Sequence, residues 1–432
     1  LQIDLRKHPF LLPGQENEIL VKTWTVDGLV ESRGAVTRYT APLNTGTNTK
    51  APRFFGIVCG TGAYRNSDIN LRYSVPDATA IAAGIAEGAN KLFGAANTQV
   101  RLFTQPGPRP GSRENLQLAF DSIAALAKPE DIVFIYLSGH GINTGGEDGE
   151  FCYLLPEAFS ADAAAYTDPQ LRQRVSLGTG ELSRMLNKVA ALKQVLIIDA
   201  CGSGKAVDNL AGKREIAPVQ IRAFDRMRDR TGTFILSGCA ADAVSYEASR
   251  YGQGLLTYAL LQGMAGASLK DAGLLDVANW FQYARDRVPE LARGIGGLQE
   301  PQMLLPRGGS IDIALVDEQV RRRIPLAQVK PVFIQSLVQD EAAFEDVLKI
   351  GELLDRRLFE LSSRGITAPI AFFEVKRFEQ ACQLFGRYSR EGERIVFKGK
   401  IKCPDGEVPL NISENNADAL VTKLMEQVGQ VK

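Results

Sequence analysis

The sequence predicts an α/β protein built on a mainly parallel sheet with helices on both faces. Three observations carry this expectation. From Arg53 onward, short apolar runs alternate with helical stretches in a β-α-β-α rhythm, which parallel pairing through helical crossovers requires. Two of the runs, 131–138 (DIVFIYLS) and 194–200 (QVLIIDA), are almost continuously apolar, as strands buried on both faces are. The segments on either side read differently, with short strands before this region and a mixed α+β pattern after it.

Taken in order, residues 1–40 form a β-rich fragment. Residues 18–25 (EILVKTWT) alternate loosely, Asp27-Gly28 is a hairpin signal and Pro13-Gly14 marks an earlier turn. Residue 1 is Leu, so the chain is expected to be a piece of something longer, with this fragment as the last strands of a β domain. Residues 41–52 (APLNTGTNTKAP) are polar, bracketed by Pro, and read as a linker. The α/β domain spans 53–306. Its first strand is 53–59, followed by a helix over 78–93 entered through Pro76 and Asp77. A strand at 98–104 and a helix from Ser112, its cap, to about residue 127 come next. Strand 131–138, helix 180–192, strands 194–200 and 233–239, and helices near 254–265 and 276–288 complete it.

Residues 307–330 read as a connector to a C-terminal α+β module over 331–432. Its expected elements are a long amphipathic helix over 341–361, with Phe344, Leu348, Leu354, Leu358 and Leu361 near helical spacing, then strands around 369–375, 394–403 and 408–412. Asp405-Gly406 is a turn and 417–428 a closing helix. The module contains no His and no motif with assignable chemistry, so packing or docking is its expected role.

Composition excludes several functions. Lys plus Arg number 50 against 50 Asp plus Glu, which removes the electrostatic case for nucleic-acid or anionic-membrane binding. No apolar run reaches the ~18 residues needed to cross a bilayer. Six Cys without a CxxC pair argue against a disulfide scaffold or a zinc site, and two His cannot build a His-rich metal centre. No signal peptide is visible, and the cytoplasm is the expected compartment.

Two strand ends carry the chemistry. Ser138-Gly139-His140-Gly141 follows DIVFIYL, and Asp199-Ala200-Cys201-Gly202-Ser203-Gly204 follows QVLII. Open α/β sheets place their ligand crevices at such carboxyl ends, and neighbouring strands lie only about 4.8 Å apart. An imidazole and a thiol brought together there form a base and its nucleophile. Cys201 would attack a carbonyl carbon while His140 manages protons, with the backbone N–H groups of Gly141 and Cys201 as oxyanion donors. No side chain is identifiable as the orienter of His140, a role that a backbone carbonyl can fill. Cys59, Cys239 and His8 read as structural.

SGHG and DACGSG, each after a buried strand, resemble the caspase-like fold of clan CD cysteine peptidases, in particular the bacterial metacaspase-type (orthocaspase) branch. The resemblance covers about 53–305 and includes LRYSVPDATAIAAGI, the Ser112–Asn115 helix start, SGCAADAVSYE at 237–247 and the GQGLLTYALLQGM helix. Gly202 departs from it, since relatives more often carry His or another polar residue after the nucleophile. The preceding β fragment resembles the Ig-like modules found before bacterial caspase-like domains. The resemblance implies a His140–Cys201 dyad, a thioester acyl-enzyme, and protein or peptide substrates. Metacaspases cut after Arg or Lys through acidic pocket residues, whereas true caspases cut after Asp through Arg. Asp77 matches the family's second pocket acid, and strand alternation puts Asp199 on the side of Cys201. With Ser138 and Asp242 they form the expected S1 pocket, for a basic residue before the scissile bond. Helix capping is the competing reading for Asp77 and Asp199.

The stretch 202–230 carries Lys205, Lys213, Arg214, Arg222, Arg226, Arg228 and Arg230, a self-processing site if cleavage follows basic residues, against an ordinary solvated helix. No cofactor is required. Calcium, which activates some relatives, points to the acidic Glu147-Asp148 loop, which lacks EF-hand spacing and reads as solvated. Gly60-Thr61-Gly62 fails the dinucleotide fingerprint at Arg65, and Gly204-Lys205 fails the P-loop pattern at Ala206. The alternative of another class is a silent caspase-fold scaffold regulated by a partner; retention of both His140 and Cys201 favours the peptidase.

Overall fold

The structure, a computed structural model, describes residues 14–23, 32–40, 51–144, 149–202, 224–225, 227–228, 233–238, 250–293, 299–306, 309–364, 367–378 and 381–431, the side chains of Cys201 and Gly202 excepted. At the start, β1 (Glu16–Val21) and β2 (Ala35–Thr40) pair antiparallel, Glu16 opposite Thr40 and Val21 opposite Ala35. Asp27-Gly28, His8 and 41–50 lie outside the described residues.

The central sheet is assembled from β3 (Phe54–Thr61), β4 (Thr98–Gln105), β5 (Ile132–Asn143), β6 (Phe151–Leu154), β7 (Ser176–Gly178), β8 (Lys193–Gly202) and β9 (Phe234–Ser237). Between them run α1 (Ser74–Phe93), α2 (Arg113–Ala124), α3 (Pro169–Val175) and α4 (Thr179–Lys188). After β9 come α5 (Leu255–Gln262), β10 (Leu274–Asp276), α6 (Val277–Arg293), β11 (Gln302–Leu304), β12 (Asp312–Leu315) and α7 (Glu318–Arg323). The strand order is β11-β9-β8-β5-β3-β4, with β6 on the far half of β5 and β7 on β6. Pairing is parallel from β9 to β4 and antiparallel for β11 and β6, so the mainly parallel α/β sheet is as the sequence predicts.

Both faces of the sheet are apolar. Phe54, Phe134, Tyr136 and Ile197 bury one face against α1, α5 and α6; Ile57, Ile135, Leu196 and Ile198 bury the other against α2 and α4. Each fully buried side chain contributes roughly 1.5–3 kcal/mol, so burial on two sides selects these runs as central strands. Ser112 caps α2 as expected, its Oγ accepting from the Asn115 N–H at 3.3 Å. Helix α1 begins at Ser74, earlier than residue 78. Pro76 fits inside the first turn because that turn's N–H groups have no intrahelical partner to lose. The stretch 307–330, read as a connector, carries β12 and α7, whose Ile313, Ala314 and Val320 are buried in this core.

The C-terminal module comprises β13 (Val332–Ile334), β14 (Leu337–Asp340), α8 (Ile350–Ser362), β15 (Ala371–Phe373), β16 (Gln383–Glu391), β17 (Arg394–Cys403), β18 (Gly406–Glu414) and α9 (Ala417–Val428). Strands β14-β16-β17-β18 form a sheet, and β13 pairs with β15. The helix expected over 341–361 is a correction: only its second half, α8, forms. Asp340 turns the chain by accepting from the N–H groups of Ala342 and Ala343, and Asp346 caps α8 by accepting from Ile350 and Gly351. Phe344, counted on the apolar face, is two-thirds exposed at φ 59°. Cys382 and Cys403 form a disulfide, one bridge that the sequence spacing did not indicate.

Candidate active site

The site grows from the register of two neighbouring strands. β5 and β8 run parallel with Tyr136 beside Ile197, Ser138 beside Asp199, and His140 beside Cys201. Residues two apart share a sheet face. Tyr136 and Ile197 belong to the face covered by α1 and α5, so Ser138, His140, Asp199 and position 201 continue the same row. The dyad positions are thus adjacent at the carboxyl ends of two central strands. β5 runs through SGHG to Asn143, beyond the expected end at 138, because Gly141 pairs with Gly202 on one side and Tyr153 of β6 on the other.

His140 is held from three directions. Its backbone N–H donates to the Tyr64 hydroxyl at 2.8 Å, and the two rings pack with centroids 5.2 Å apart. Its Nε2 lies 2.8 Å from the Ile69 carbonyl oxygen. A carbonyl only accepts, so Nε2 carries the proton, and in the neutral ring Nδ1 has the basic lone pair. Gly139 is required here: a Cβ would come 2.8 Å from the Tyr64 hydroxyl and 3.0 Å from the Tyr153 ring. The Tyr153 hydroxyl donates to the Ser138 carbonyl at 2.8 Å, fixing the strand end from the other side. Burial raises Tyr64 and Tyr153 above the ordinary phenol range, so both stay neutral.

Two carboxylates meet beside this row. Asp77, buried in the first turn of α1, accepts from the Gly254 N–H at 3.0 Å through Oδ2 and 3.2 Å through Oδ1. The cap position of α1 is Tyr73, with no side-chain cap bond, so helix capping does not account for Asp77. Asp199, within β8 and partly exposed, accepts from the Thr257 hydroxyl at 3.0 Å, and the Tyr136 hydroxyl lies 3.2 Å from the same carboxylate oxygen. Burial first, then the charge of Asp199, pushes Asp77 well above the usual carboxylate range. Burial pushes Asp199 up to about 6 against the pull of the Thr257 and Tyr136 hydroxyls. Gly254 and Gly238 leave room around the pair, since a Cβ on Gly254 would meet Asp77 Oδ2 at 2.6 Å and one on Gly238 would meet Asp199 Oδ1 at 3.2 Å.

Of the residues singled out from sequence, His140, Gly141, Cys201, Ser138, Asp77 and Asp199 therefore converge on one strand end. Asp242, Glu147, Asp148, Cys239 and most of 202–230 lie outside the described residues. Cys59 is buried, its thiol pushed up to about 11, as an inert core residue would be. Sequence reasoning did not single out Tyr64, the Ile69 carbonyl, Tyr136, Gly254 or Thr257. Tyr136 sits inside an otherwise apolar strand run, and Thr257, beside Tyr258, inside a helix turn of Leu and Ala; a hydroxyl in such a run is the one signal pointing to them. Among the described residues no cluster of three or more His, Cys, Asp or Glu is placed to hold a metal ion. A cavity of about 1140 Å³ lies on the C-terminal sheet, lined by Leu337, Phe385, Arg387, Lys398 and others, without His or Cys.

A family model described as the caspase domain matches residues 55–306, more than half of the chain. The chain belongs to the caspase-domain family. No curated protein matches it. A crystal structure of protein GSU0716 from Geobacter sulfurreducens, 17% identical, covers 65% of this chain and 100% of that one, with a TM-score of 0.36, too low to bear on fold or function. The caspase domain is a peptidase domain, and its matched span contains the whole β5–β8 strand end. Among the described residues no helix is long and apolar enough to cross a membrane.

Proposed function

We propose that the caspase domain is a cysteine endopeptidase working through Cys201 and His140 and cleaving proteins or peptides after Arg or Lys, in the manner of the bacterial metacaspase-type branch. The observation that carries the reading is the pairing of His140 with Cys201 at the carboxyl ends of adjacent parallel strands. Nδ1 of His140 takes the thiol proton, and the thiolate sulfur attacks the scissile carbonyl carbon. The oxyanion is received by the backbone N–H groups of Gly141 and Cys201. Collapse breaks the C–N bond, the imidazolium gives its proton to the leaving amine, and a thioester remains. Water, deprotonated by His140, then attacks the thioester carbon and restores the thiol.

The specificity rests on Asp77 and Asp199. Two carboxylates around Gly254 suit a guanidinium or ammonium and repel an acidic side chain. Ser138 is buried beside Asp199 in the register and belongs to the proposed pocket; Asp242, a further candidate, lies outside the described residues. The basic stretch 202–230 is then a candidate self-processing segment, and calcium or a partner a candidate activator.

The test is a fluorogenic peptide panel with Arg, Lys or Asp at P1, with and without calcium, beside Cys201→Ala. Cleavage after Arg or Lys that vanishes in the variant is expected. Cleavage only after Asp keeps the peptidase and overturns the pocket. Absence of cleavage under every condition, in an intact folded sample, favours the silent scaffold.

A further inference from the structure

The two pocket carboxylates share the Thr257 hydroxyl as a neighbour. Asp77 is held chiefly by a backbone group, the N–H of Gly254, with the Thr257 hydroxyl beside it. Asp199 is held by side chains. The Thr257 hydroxyl lies 3.0 Å from Asp199 Oδ2, and the Tyr136 hydroxyl lies 2.6 Å from Thr257 Oγ1 and 3.2 Å from the same carboxylate oxygen. Each hydroxyl has one hydrogen, while an ionised carboxylate only accepts. The shorter contacts order the protons in one direction, from Tyr136 to Thr257 and from Thr257 to Asp199. That order is strongest when Asp199 carries its charge. Thr257 and Tyr136 are both fully buried, so water does not substitute for either hydroxyl.

Resting on the dyad and pocket of the proposed function, we propose that Thr257, backed by Tyr136, is a positioning residue for recognition of a basic side chain. Its hydroxyl fixes Asp199 Oδ2 and keeps that carboxylate an acceptor for a guanidinium or ammonium. Thr257 lies in the first turn of α5, whose positive end also favours the anion. The opposing influences are burial and the second carboxylate. Among the described residues, the titratable groups facing the pair are Tyr136 of β5 and, at the head of the helix that carries Asp77, Tyr73. Both are neutral phenols, so the hydroxyl donors are what holds Asp199 in its charged form.

The experiment is kcat and KM for a peptide with Arg at P1, between about pH 5 and pH 9, for the full chain and its Thr257→Val and Thr257→Ser variants. Loss of a hydrogen bond to a charged group predicts an approximately ten-fold rise in KM for Thr257→Val, with kcat within about two-fold. The acid limb of kcat/KM should move upward by about one pH unit, and Thr257→Ser should restore both. Tyr136→Phe, which removes only the backing hydroxyl, should move both quantities the same way by less, and it serves if Thr257→Val does not fold. The Cys201→Ala chain reads the same loss by calorimetric binding of the Arg peptide, without turnover. An unchanged KM in Thr257→Val, a Ser variant as impaired as the Val variant, or a change confined to kcat overturns the inference alone. A wild-type chain that neither cleaves after nor binds Arg or Lys peptides overturns it together with the pocket beneath it.

Discussion

The Nε2 atom of His140 sits 2.8 Å from the carbonyl oxygen of Ile69, so a backbone acceptor orients the imidazole. Such an acceptor cannot take a proton, so it keeps the proton of the neutral ring on Nε2. Replacing the ring should therefore abolish base catalysis while leaving binding intact. His140→Ala is expected to lower kcat by about 10²–10⁴ with little change in KM, and to slow alkylation of Cys201 near neutral pH. Undiminished turnover by the purified variant would sink the dyad.

Tyr64 acts one bond further out. Its hydroxyl is the acceptor for the His140 N–H, and the residue is 8% exposed, so Tyr64→Phe removes a buried hydrogen bond. The expected cost is about 1–3 kcal/mol in urea unfolding, accompanied by a fall in kcat because the strand end loses its anchor. Loss of stability with kcat unchanged would make Tyr64 a packing residue only.

Asp199, an acid of the proposed pocket, should trade stability for recognition. Its folded value of about 6 exceeds the ordinary 3.8, so its contribution is fully present below pH 3.8 and is lost as pH rises through 6. Asp199→Asn should match the wild type near pH 3.5 and be more stable above pH 6, on the order of 1–3 kcal/mol. Cleavage after Arg should be lost in the same variant. Thermal melting at the two pH values, beside the peptide assay, checks both halves.

At the opposite end of β5, Asp131 should matter for the fold and not for chemistry. It is 1% exposed and accepts from the Arg53 guanidinium, the Arg53 N–H and the Lys128 N–H, tying β3 to β5. Asp131→Ala removes the acceptor these donors share and should cost about 3 kcal/mol. Its kcat, measured well below the melting temperature, should equal that of the wild type.

The sequence by itself determined the parallel core and the two strand ends, because burial on both faces writes a continuous apolar run and glycines mark where the chain is approached closely. The runs before His140 and Cys201 needed no tertiary knowledge to be read as neighbours at one sheet end, and α9 falls on the expected 417–428. Tertiary structure decided what periodicity does not encode. The apolar spacing through Phe344 suggested one long helix, but Asp340 and Asp346 offer competing local hydrogen bonds that end a turn and cap α8 at Ile350. The role of Asp77 depended on where Gly254, 177 residues away in sequence, presents its N–H. Tyr64, the Ile69 carbonyl and Thr257 became parts of the site for the same reason. A hydroxyl or a carbonyl acquires its partner only when the sheet and its covering helices bring distant segments within about 3 Å, and no local pattern records that meeting.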